Sequence, residues 1–195
     1  MIGIIEYGAG NVRSVCNALE RLGVGFFVSA KVDELERARK LILPGVGEAR
    51  SAMDALGHSG LPDWLSTVTK PFLGICIGMQ ILFDHSDERE TPCLRLVPGR
   101  VQRFQGERLK IPHMGWNSVV NCRPSPLFQG IADGEYFYFV HSYHAPVVGH
   151  TTAVAHYQVD FSAAVQRDNF YGVQFHVEKS GSAGSQVLRN FVTLC

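Results

Sequence analysis

The chain has 195 residues, a length that corresponds to one domain at roughly 150 residues per domain. Hydrophobic residues make up 46% of it and charged residues 18%, so the composition is too apolar for a disordered protein. The 18 basic residues balance the 18 acidic ones, and a neutral chain without a basic run is not expected to bind nucleic acid.

Membrane insertion and secretion are also not expected. No apolar stretch reaches the ~18 residues of a membrane span, and the N-terminal residues lack the basic region of a signal peptide before Glu6. The cysteines are odd in number and scattered, without a CxxC pair, which fits reduced thiols in the cytoplasm better than a disulfide framework. They are Cys16, Cys76, Cys93, Cys122 and Cys195.

The first half of the chain alternates strand and helix signals. Helices are predicted where apolar residues recur at helical spacing, the first of them with Asn11 as N-cap and Gly23 as stop signal. This alternation predicts a mostly parallel sheet with helices on both faces. The predicted strands are residues 2–5, 24–28, 41–43 and 71–75, and the predicted helices are residues 12–22, 49–56 and 78–82.

The second half is rich in short β segments separated by Gly, Pro or Asn. We expect them to be antiparallel additions to the same sheet, followed by a last helix that begins at about Ser182. The whole of residues 1–195 is therefore predicted to be one α/β domain. The predicted strands are residues 97–104, 136–141, 151–157, 163–166 and 170–175.

A glycine pair after the first strand resembles the start of a dinucleotide-binding fingerprint. The GxGxxG pattern begins at Gly8 and Gly10, but its third glycine position is occupied by Arg13. A tight turn between strand and helix is the better interpretation.

The segment Gly74-Ile75-Cys76-Ile77-Gly78 has the pattern of a nucleophile elbow, in which a strand turns sharply into a helix. Cys76 would lie at the helix N-terminus, where backbone amides and the helix dipole favour a thiolate. The amide of Ile77 would face an oxyanion formed on an attacked carbonyl. The alternative is a buried structural cysteine with incidental glycines.

A nucleophilic cysteine requires a base, and His176 lies at the end of an apolar strand where a parallel-sheet site is expected. Glu178 is placed to orient its imidazole. Pro44 to Gly47 form a glycine loop that can supply a second oxyanion donor, or is a plain turn. No metal is expected, because His141 and His144 should face opposite ways on a strand and HExxH and CxxC motifs are lacking.

Taken together, these motifs resemble those of the class I (triad) glutamine amidotransferases. The segments are PGVG at 44–47, GICIGMQ at 74–80 and FHVE at 175–178. Three more resemble the members of this family that serve histidine biosynthesis: YGAGN at 7–11, PHMGWN at 112–117 and YFVHSY at 138–143. The family usually has His-Pro-Glu where Val177 separates His176 from Glu178, and Asp where Glu6 stands; we expect Val177 to keep the extended backbone that proline would impose.

The resemblance implies a flavodoxin-like, doubly wound fold and hydrolysis of glutamine by a Cys76-His176-Glu178 triad. The amides of Ile77 and Val46 would form the oxyanion hole. The amino-acid end of glutamine would be held by Gly47, Gln80, Ser142 and Tyr143. Neither an organic cofactor nor a metal is implied.

The same resemblance implies that ammonia passes to a partner, a (β/α)8-barrel cyclase subunit that makes imidazole glycerol phosphate, in a heterodimer. Aromatic side chains such as Trp116 are common anchors at interfaces, although an aromatic core is the alternative. A glutaminase serving another synthase, a Cys-elbow hydrolase of related fold and a non-catalytic subunit remain alternative functions. The expected docking residues are Asn11, Arg13, His113, Met114, Trp116, Tyr136, Tyr138 and Lys179.

Overall fold

The structure, a computed structural model, describes residues 1–8, 10–105 and 110–195. Ala9 of the YGAGN segment lies outside the described residues. The strands are β1 (Ile2–Ile5), β2 (Phe26–Ser29), β3 (Lys40–Gly45), β4 (Phe72–Cys76), β5 (Phe83–Ser86), β6 (Thr91–Pro92), β7 (Val97–Arg103), β8 (His113–Asn121), β9 (Glu135–His141), β10 (Tyr143–His144), β11 (Thr151–Tyr157), β12 (Val159–Arg167) and β13 (Phe170–Val173). The α-helices are α1 (Val12–Arg21), α2 (Val32–Leu35), α3 (Ala49–His58), α4 (Leu61–Leu65), α5 (Ile77–Gln80) and α6 (Gly181–Leu194), with 3₁₀ turns at Pro126–Phe128 and Val177–Lys179.

Within the described residues, nine strands form one mixed sheet in the order β2-β1-β3-β4-β13-β12-β11-β8-β9. The first five of these strands run parallel, and the pairs from β13 to β9 are antiparallel. This confirms the predicted α/β class, with a parallel half and antiparallel strands added from the second half of the chain.

Two strands depart from the predicted arrangement. β13 pairs in parallel with β4 and not only as an antiparallel addition, which brings the end of β13 beside the Cys76 elbow. β7 belongs to a second sheet, ordered β10-β7-β5-β6, where it lies parallel to β5. The expectation that all late strands join the main sheet as antiparallel additions was therefore wrong for these two.

Helices cover both faces of the main sheet. On one face, α1 and α6 bury an apolar stripe that includes Leu19 and Phe191. On the other face, α3 and α4 bury residues such as Leu56 and Leu61, together with the small sheet. Burial of each such side chain contributes about 1.5–3 kcal/mol. The two apolar layers enclose the sheet whose strand ends carry the candidate site.

Local signals explain the ends of the longer helices. The Asn11 side chain accepts a hydrogen bond from the Ser14 amide at 3.4 Å and caps α1, and Gly23, with a φ of 68°, follows the end of that helix. At the other end of the chain, the Lys40 ammonium donates to the Phe191 and Val192 carbonyls, both at 2.9 Å, and so caps α6. No helix among the described residues is long and apolar enough to cross a membrane.

Candidate active site

Cys76 occupies a sharp turn between β4 and α5. Its φ is 55°, a left-handed conformation that is uncommon for a residue with a side chain. A Cβ atom at Gly78 would overlap the carbonyl oxygen of Leu43, and one at Gly74 would overlap Gly78. Only glycine allows β3, β4 and α5 to approach this closely, and the approach leaves the thiol at the start of the helix.

Strand register brings two loops to the Cys76 sulfur. Gly45 at the end of β3 is opposite Cys76 in the parallel pair, so Val46 follows directly beside the elbow. On the other side, Val173 of β13 is opposite Ile75, and the chain continues from there to His176. The carboxyl ends of neighbouring parallel strands meet at one edge of the sheet, and that edge carries the site.

His176 and Glu178 form a buried pair. The His176 Nδ1 atom lies 2.8 Å from Glu178 Oε1, and both side chains are almost fully buried. Nε2 has no hydrogen-bond partner of good geometry among the described residues, and it is the ring nitrogen left to interact with Cys76. Burial alone would lower the pKa of His176, but its interactions with Cys76 and Glu178 outweigh burial and raise that pKa from 6.5 to about 10.

A cavity of about 290 Å³ opens onto Cys76 and His176. It brings together every residue predicted for the oxyanion hole and for glutamine binding. Glu178 lies behind His176, outside the lining. The lining residues are Val46, Gly47, Cys76, Ile77, Gln80, Glu88, Pro112, Val140, His141, Ser142, Tyr143 and His176.

The polar wall of this cavity is built around Gln80. Its Nε2 donates to the Tyr143 carbonyl at 2.8 Å and to Gln174 Oε1 at 2.9 Å. Its Oε1 is buried and has no partner among the described residues. An acceptor without a partner in a cavity can accept a hydrogen bond from a bound ammonium or amide.

Glu88 is a carboxylate in the cavity that sequence reasoning missed. Its Oε2 accepts a hydrogen bond from the Ala49 amide at 2.7 Å, and burial raises its pKa. A carboxylate at this position can pair with an ammonium group. The chain offers no motif for it, because Glu88 lies in a turn after β5, twelve residues from the elbow. Pro112, Val140 and His141 were likewise not predicted to line a substrate cavity.

Val177 does not extend the strand as expected. It begins the 3₁₀ turn Val177–Lys179, while His176 before it has an extended backbone with φ −86° and ψ 101°. The expectation of a β conformation at Val177 was wrong. The backbone N–H of the first residue in a helical turn has no acceptor within that turn. Valine and proline can therefore both occupy this position.

Most of the residues predicted to dock a partner are at least partly exposed. Met114, Trp116 and Tyr136 are 63%, 55% and 56% exposed, and they lie on the paired strands β8 and β9. Arg13 and Lys179 are exposed, and Asn11 and Tyr138 are half-buried.

His113 differs from that expectation, because its side chain is only 4% exposed. It alternates with Met114 along β8 and points inward, where its ring stacks on Tyr157 with centroids 4.1 Å apart. Its inclusion among the docking residues was therefore wrong.

His141 and His144 lie closer together than predicted. The chain turns at Ser142 between β9 and β10, so both rings pack against Phe104, with centroids 5.3 Å and 4.3 Å away. The rule of alternating faces fails here because the two histidines lie on different strands. In the part of the chain that the structure describes, no group of three or more His, Cys, Asp or Glu side chains is arranged to hold a metal.

Comparison with known proteins places this geometry in context. Residues 3–195 match the family model of class-I glutamine amidotransferases. The chain is 46% identical over 195 residues to the imidazole glycerol phosphate synthase subunit HisH of Bacteroides thetaiotaomicron, covering 99% of each chain. It is 49% identical over 204 residues to the protein of the same name from Geobacillus thermodenitrificans, covering 98% of this chain and 95% of the other. A crystal structure of a glutamine amidotransferase superposes with a TM-score of 0.76 at 18% identity, over 98% of this chain and 96% of the other.

Proposed function

The chain belongs to the class-I glutamine amidotransferase family, and on this premise we propose that it hydrolyses glutamine to glutamate and ammonia. Its relatives from Bacteroides thetaiotaomicron and Geobacillus thermodenitrificans are named as subunits of imidazole glycerol phosphate synthase. We therefore propose that the ammonia passes to the cyclase subunit of such a synthase, which makes imidazole glycerol phosphate and aminoimidazole carboxamide ribotide in histidine biosynthesis. The observation that carries the proposal is the cavity in which Cys76 faces His176, with Glu178 behind the imidazole.

In the proposed reaction, the Cys76 thiolate attacks the side-chain amide carbon of glutamine. The oxygen of the resulting tetrahedral intermediate accepts hydrogen bonds from the amides of Ile77 and Val46. His176 gives its proton to the nitrogen, the carbon–nitrogen bond breaks and ammonia departs. The glutamyl group remains on the Cys76 sulfur as a thioester. His176 then takes a proton from water, the hydroxide attacks the thioester, and glutamate leaves with the thiolate restored. Glu178 keeps Nδ1 protonated and the ring in place.

The amino-acid end of glutamine would lie along the wall formed by Gly47, Gln80, Ser142 and Tyr143. The unpartnered Gln80 Oε1 is placed to accept from the substrate ammonium, and the Glu88 carboxylate is placed to neutralise its charge. No cofactor enters this chemistry.

A partner is needed because free ammonia is largely protonated in neutral water, where it is no longer a nucleophile. Met114, Trp116 and Tyr136 form an exposed aromatic and apolar surface that suits interface anchors. The Trp116 ring meets Tyr138 edge-on with centroids 6.1 Å apart, and the Lys179 ammonium lies 5.9 Å from the Tyr138 ring. We propose that this surface, with Asn11 and Arg13, docks a (β/α)8-barrel cyclase in a heterodimer.

Residues 1–195 would form a single amidotransferase domain, since the family match spans residues 3–195. The enzyme would work in the cytoplasm, in keeping with free cysteines throughout the described residues.

Ammonia release from glutamine tests the function directly. We expect release by the chain mixed with a histidine-pathway cyclase and its nucleotide ligand, and no release by Cys76→Ala in the same mixture. Cys76→Ser is a matched control that keeps a small polar side chain at the elbow, and both variants should still bind the cyclase. Full turnover by Cys76→Ala would exclude the mechanism, and stimulation by the cyclase of a different synthase instead would reassign the partner.

A further inference from the structure

Gln174 is a completely buried amide side chain beside the elbow, and the reaction described above does not use it. It lies between Val173 and Phe175, which both point into the apolar core. Because alternate residues of an extended segment face opposite ways, Gly172 and Gln174 face α5 instead, where Gly172 packs closely against Met79. An amide buried there costs free energy unless both of its ends are hydrogen-bonded.

Both ends of this amide have partners. Its Oε1 accepts from Gln80 Nε2 at 2.9 Å, and its Nε2 lies 3.7 Å from the Cys76 sulfur. A hydrogen bond to sulfur is normally longer than one to oxygen, and an ionised sulfur is the better acceptor.

The orientation of the amide is fixed from outside the pair. The Tyr143 carbonyl can only accept, so the end of Gln80 that faces it at 2.8 Å is the NH₂ group. The second hydrogen of that NH₂ points at Gln174, so the Gln174 atom that receives it is the oxygen. The Gln174 NH₂ is then the end that faces Cys76.

The direction of approach leaves the sulfur free to react. Cys76 and His176 line the cavity, whereas Gln174 does not. Its amide therefore reaches the sulfur from the protein interior, on the side away from the bound substrate. A donor in that position can stabilise the thiolate without blocking its attack.

We propose that Gln174 is a further catalytic residue, whose side-chain amide donates a hydrogen bond to the Cys76 thiolate and ties it through Gln80 to the Tyr143 carbonyl. The Gln174 amide then adds a hydrogen-bond donor to the interaction that His176 makes with Cys76. The link through Gln80 joins the nucleophile to the wall of the substrate cavity. This inference rests on the proposed glutaminase function, but the contact with the sulfur can be tested without any turnover.

The test is the pH dependence of Cys76 alkylation by iodoacetamide in the full-length chain, read by mass spectrometry of the Cys76 peptide. A hydrogen bond to a charged group lost in Gln174→Leu is expected to move the midpoint of the profile up by about one pH unit. The rate on the rising limb would then fall about tenfold. Gln174→Glu keeps the acceptor for Gln80 but places a carboxyl group beside the sulfur, and we expect a still larger shift.

Two controls separate this effect from lost stability. Asn190→Leu removes another buried amide, one that donates to the Leu127 and Gln129 carbonyls. None of these residues lines the cavity, so the variant should lower Tm without moving the Cys76 profile. The exposed Cys122 of each variant serves as an internal reference whose profile stays constant.

The outcomes are distinct. A Cys76 profile unchanged in both Gln174 variants, with Tm reduced as in Asn190→Leu, would overturn the proposal and leave Gln174 a structural residue. If Gln174→Leu does not fold, the isosteric Gln174→Glu variant decides alone. Absence of glutaminase activity in the wild-type chain with its cyclase would contradict the proposed function, whereas the alkylation profile would still report whether Gln174 contacts the thiolate.

Discussion

At the scale of single residues, the triad members should contribute unequally. His176 carries both proton transfers, whereas Glu178 only holds the imidazole through the 2.8 Å contact at Nδ1. We expect His176→Ala to be almost inactive and Glu178→Gln to keep measurable activity. In Glu178→Gln the His176 imidazole is still present, but it is less well oriented. Steady-state ammonia release with the cyclase measures both variants. Equal and small losses in the two would contradict the triad assignment.

Val46 permits a second residue-scale prediction. Gly45 and Gly47 flank it, and Gly47 has a φ of 95°, so the intervening peptide can rotate an amide into or out of the oxyanion hole. Val46→Pro removes that amide and should lower the stimulated rate about 10²–10³-fold while glutamine and the cyclase still bind. Val46→Ala, which keeps the amide, is the matched control.

Retention of the full stimulated rate by Val46→Pro would exclude Val46 from the oxyanion hole. The wild-type subunit without the cyclase gives a second test. If it hydrolysed glutamine as fast as the complex with the cyclase and its nucleotide ligand, rotation of the Val46 peptide would not control the rate. A switch of this size corresponds to roughly 3–4 kcal/mol of differential binding between the two loop states.

At the scale of elements, the 3₁₀ turn after His176 can be tested by restoring proline. Val177 occupies the first position of that turn, and the extended backbone of His176 is compatible with a following proline. Val177→Pro should therefore raise the free energy of unfolding by about 0.4–1 kcal/mol, mainly by restricting the unfolded chain, without loss of activity. Urea titration measures the change, and Val177→Ala controls for lost packing. A destabilised Val177→Pro would show that the turn requires the Val177 amide.

Elements with strong local signals were predictable from the sequence. The periodicity of α1 and α3 and the glycines around Cys76 placed those elements within a few residues of their observed bounds. β8 was not predicted, because inward-facing His113 alternates with exposed Met114 and Trp116 and gives no clean apolar pattern. The pairing of β13 with β4 joins strands that are far apart in the sequence, and local sequence patterns do not predict it. The residues around Cys76 were therefore predicted from motifs and not from the strand order.

Some residues of the candidate site can be predicted from the sequence and others cannot. Cys76 and His176 stand in motifs whose spacing has a chemical reason, and the structure places them at one cavity. Glu88 and Gln174 have no such signal, because each reaches the site through a fold-dependent turn or strand face. Tertiary geometry alone reveals them.

At the scale of the whole molecule, the exposed aromatic surface and the candidate active site share a backbone connection. The Tyr138 carbonyl accepts from the His176 amide at 3.0 Å. The Tyr138 amide donates to Ser180 Oγ at 3.0 Å, and that hydroxyl donates to the His176 carbonyl at 2.7 Å. This closed ring of hydrogen bonds fixes the backbone of the base to the strand that carries Tyr136 and Tyr138, so a partner on that strand contacts the element that positions His176.

Two buried histidines, His113 and His141, contribute to the dependence of stability on pH. The Tyr143 carbonyl lies 2.7 Å from His141 Nδ1, so that nitrogen carries the proton. His141 Nε2 then accepts from His113 Nδ1 at 3.0 Å. This chain of bonds requires a neutral His141 ring, because His141 Nε2 must accept. The Asn117 amide NH₂ group lies 3.4 Å from His113 Nε2 and favours a neutral His113 ring. Burial lowers the pKa of His113 to about 4 and that of His141 to about 3.

Acid should therefore weaken the fold. Below pH 6.5 the unfolded chain protonates His113 and His141 while the folded chain does not, so stability is present above pH 6.5 and is lost as the pH falls toward 4. Each histidine contributes a slope of about 1.4 kcal/mol per pH unit. The pKa of His176 is raised to about 10, so its contribution to stability is present below pH 6.5 and is lost as the pH rises toward 10. This range does not overlap the acid range in which His113 and His141 act.

His113→Gln isolates one of these protons, because the glutamine amide can still donate to His141 but does not titrate. We expect the slope of the unfolding free energy against pH between 4.5 and 6 to fall by about 1.4 kcal/mol per unit relative to the wild type, measured by urea titration. His156→Gln, at an exposed histidine, is the matched control and should leave most of that slope in place. If His113→Gln and the wild type lost stability in parallel, His113 would be protonated in the folded protein over this pH range, and the lowered pKa assigned to its ring would be wrong.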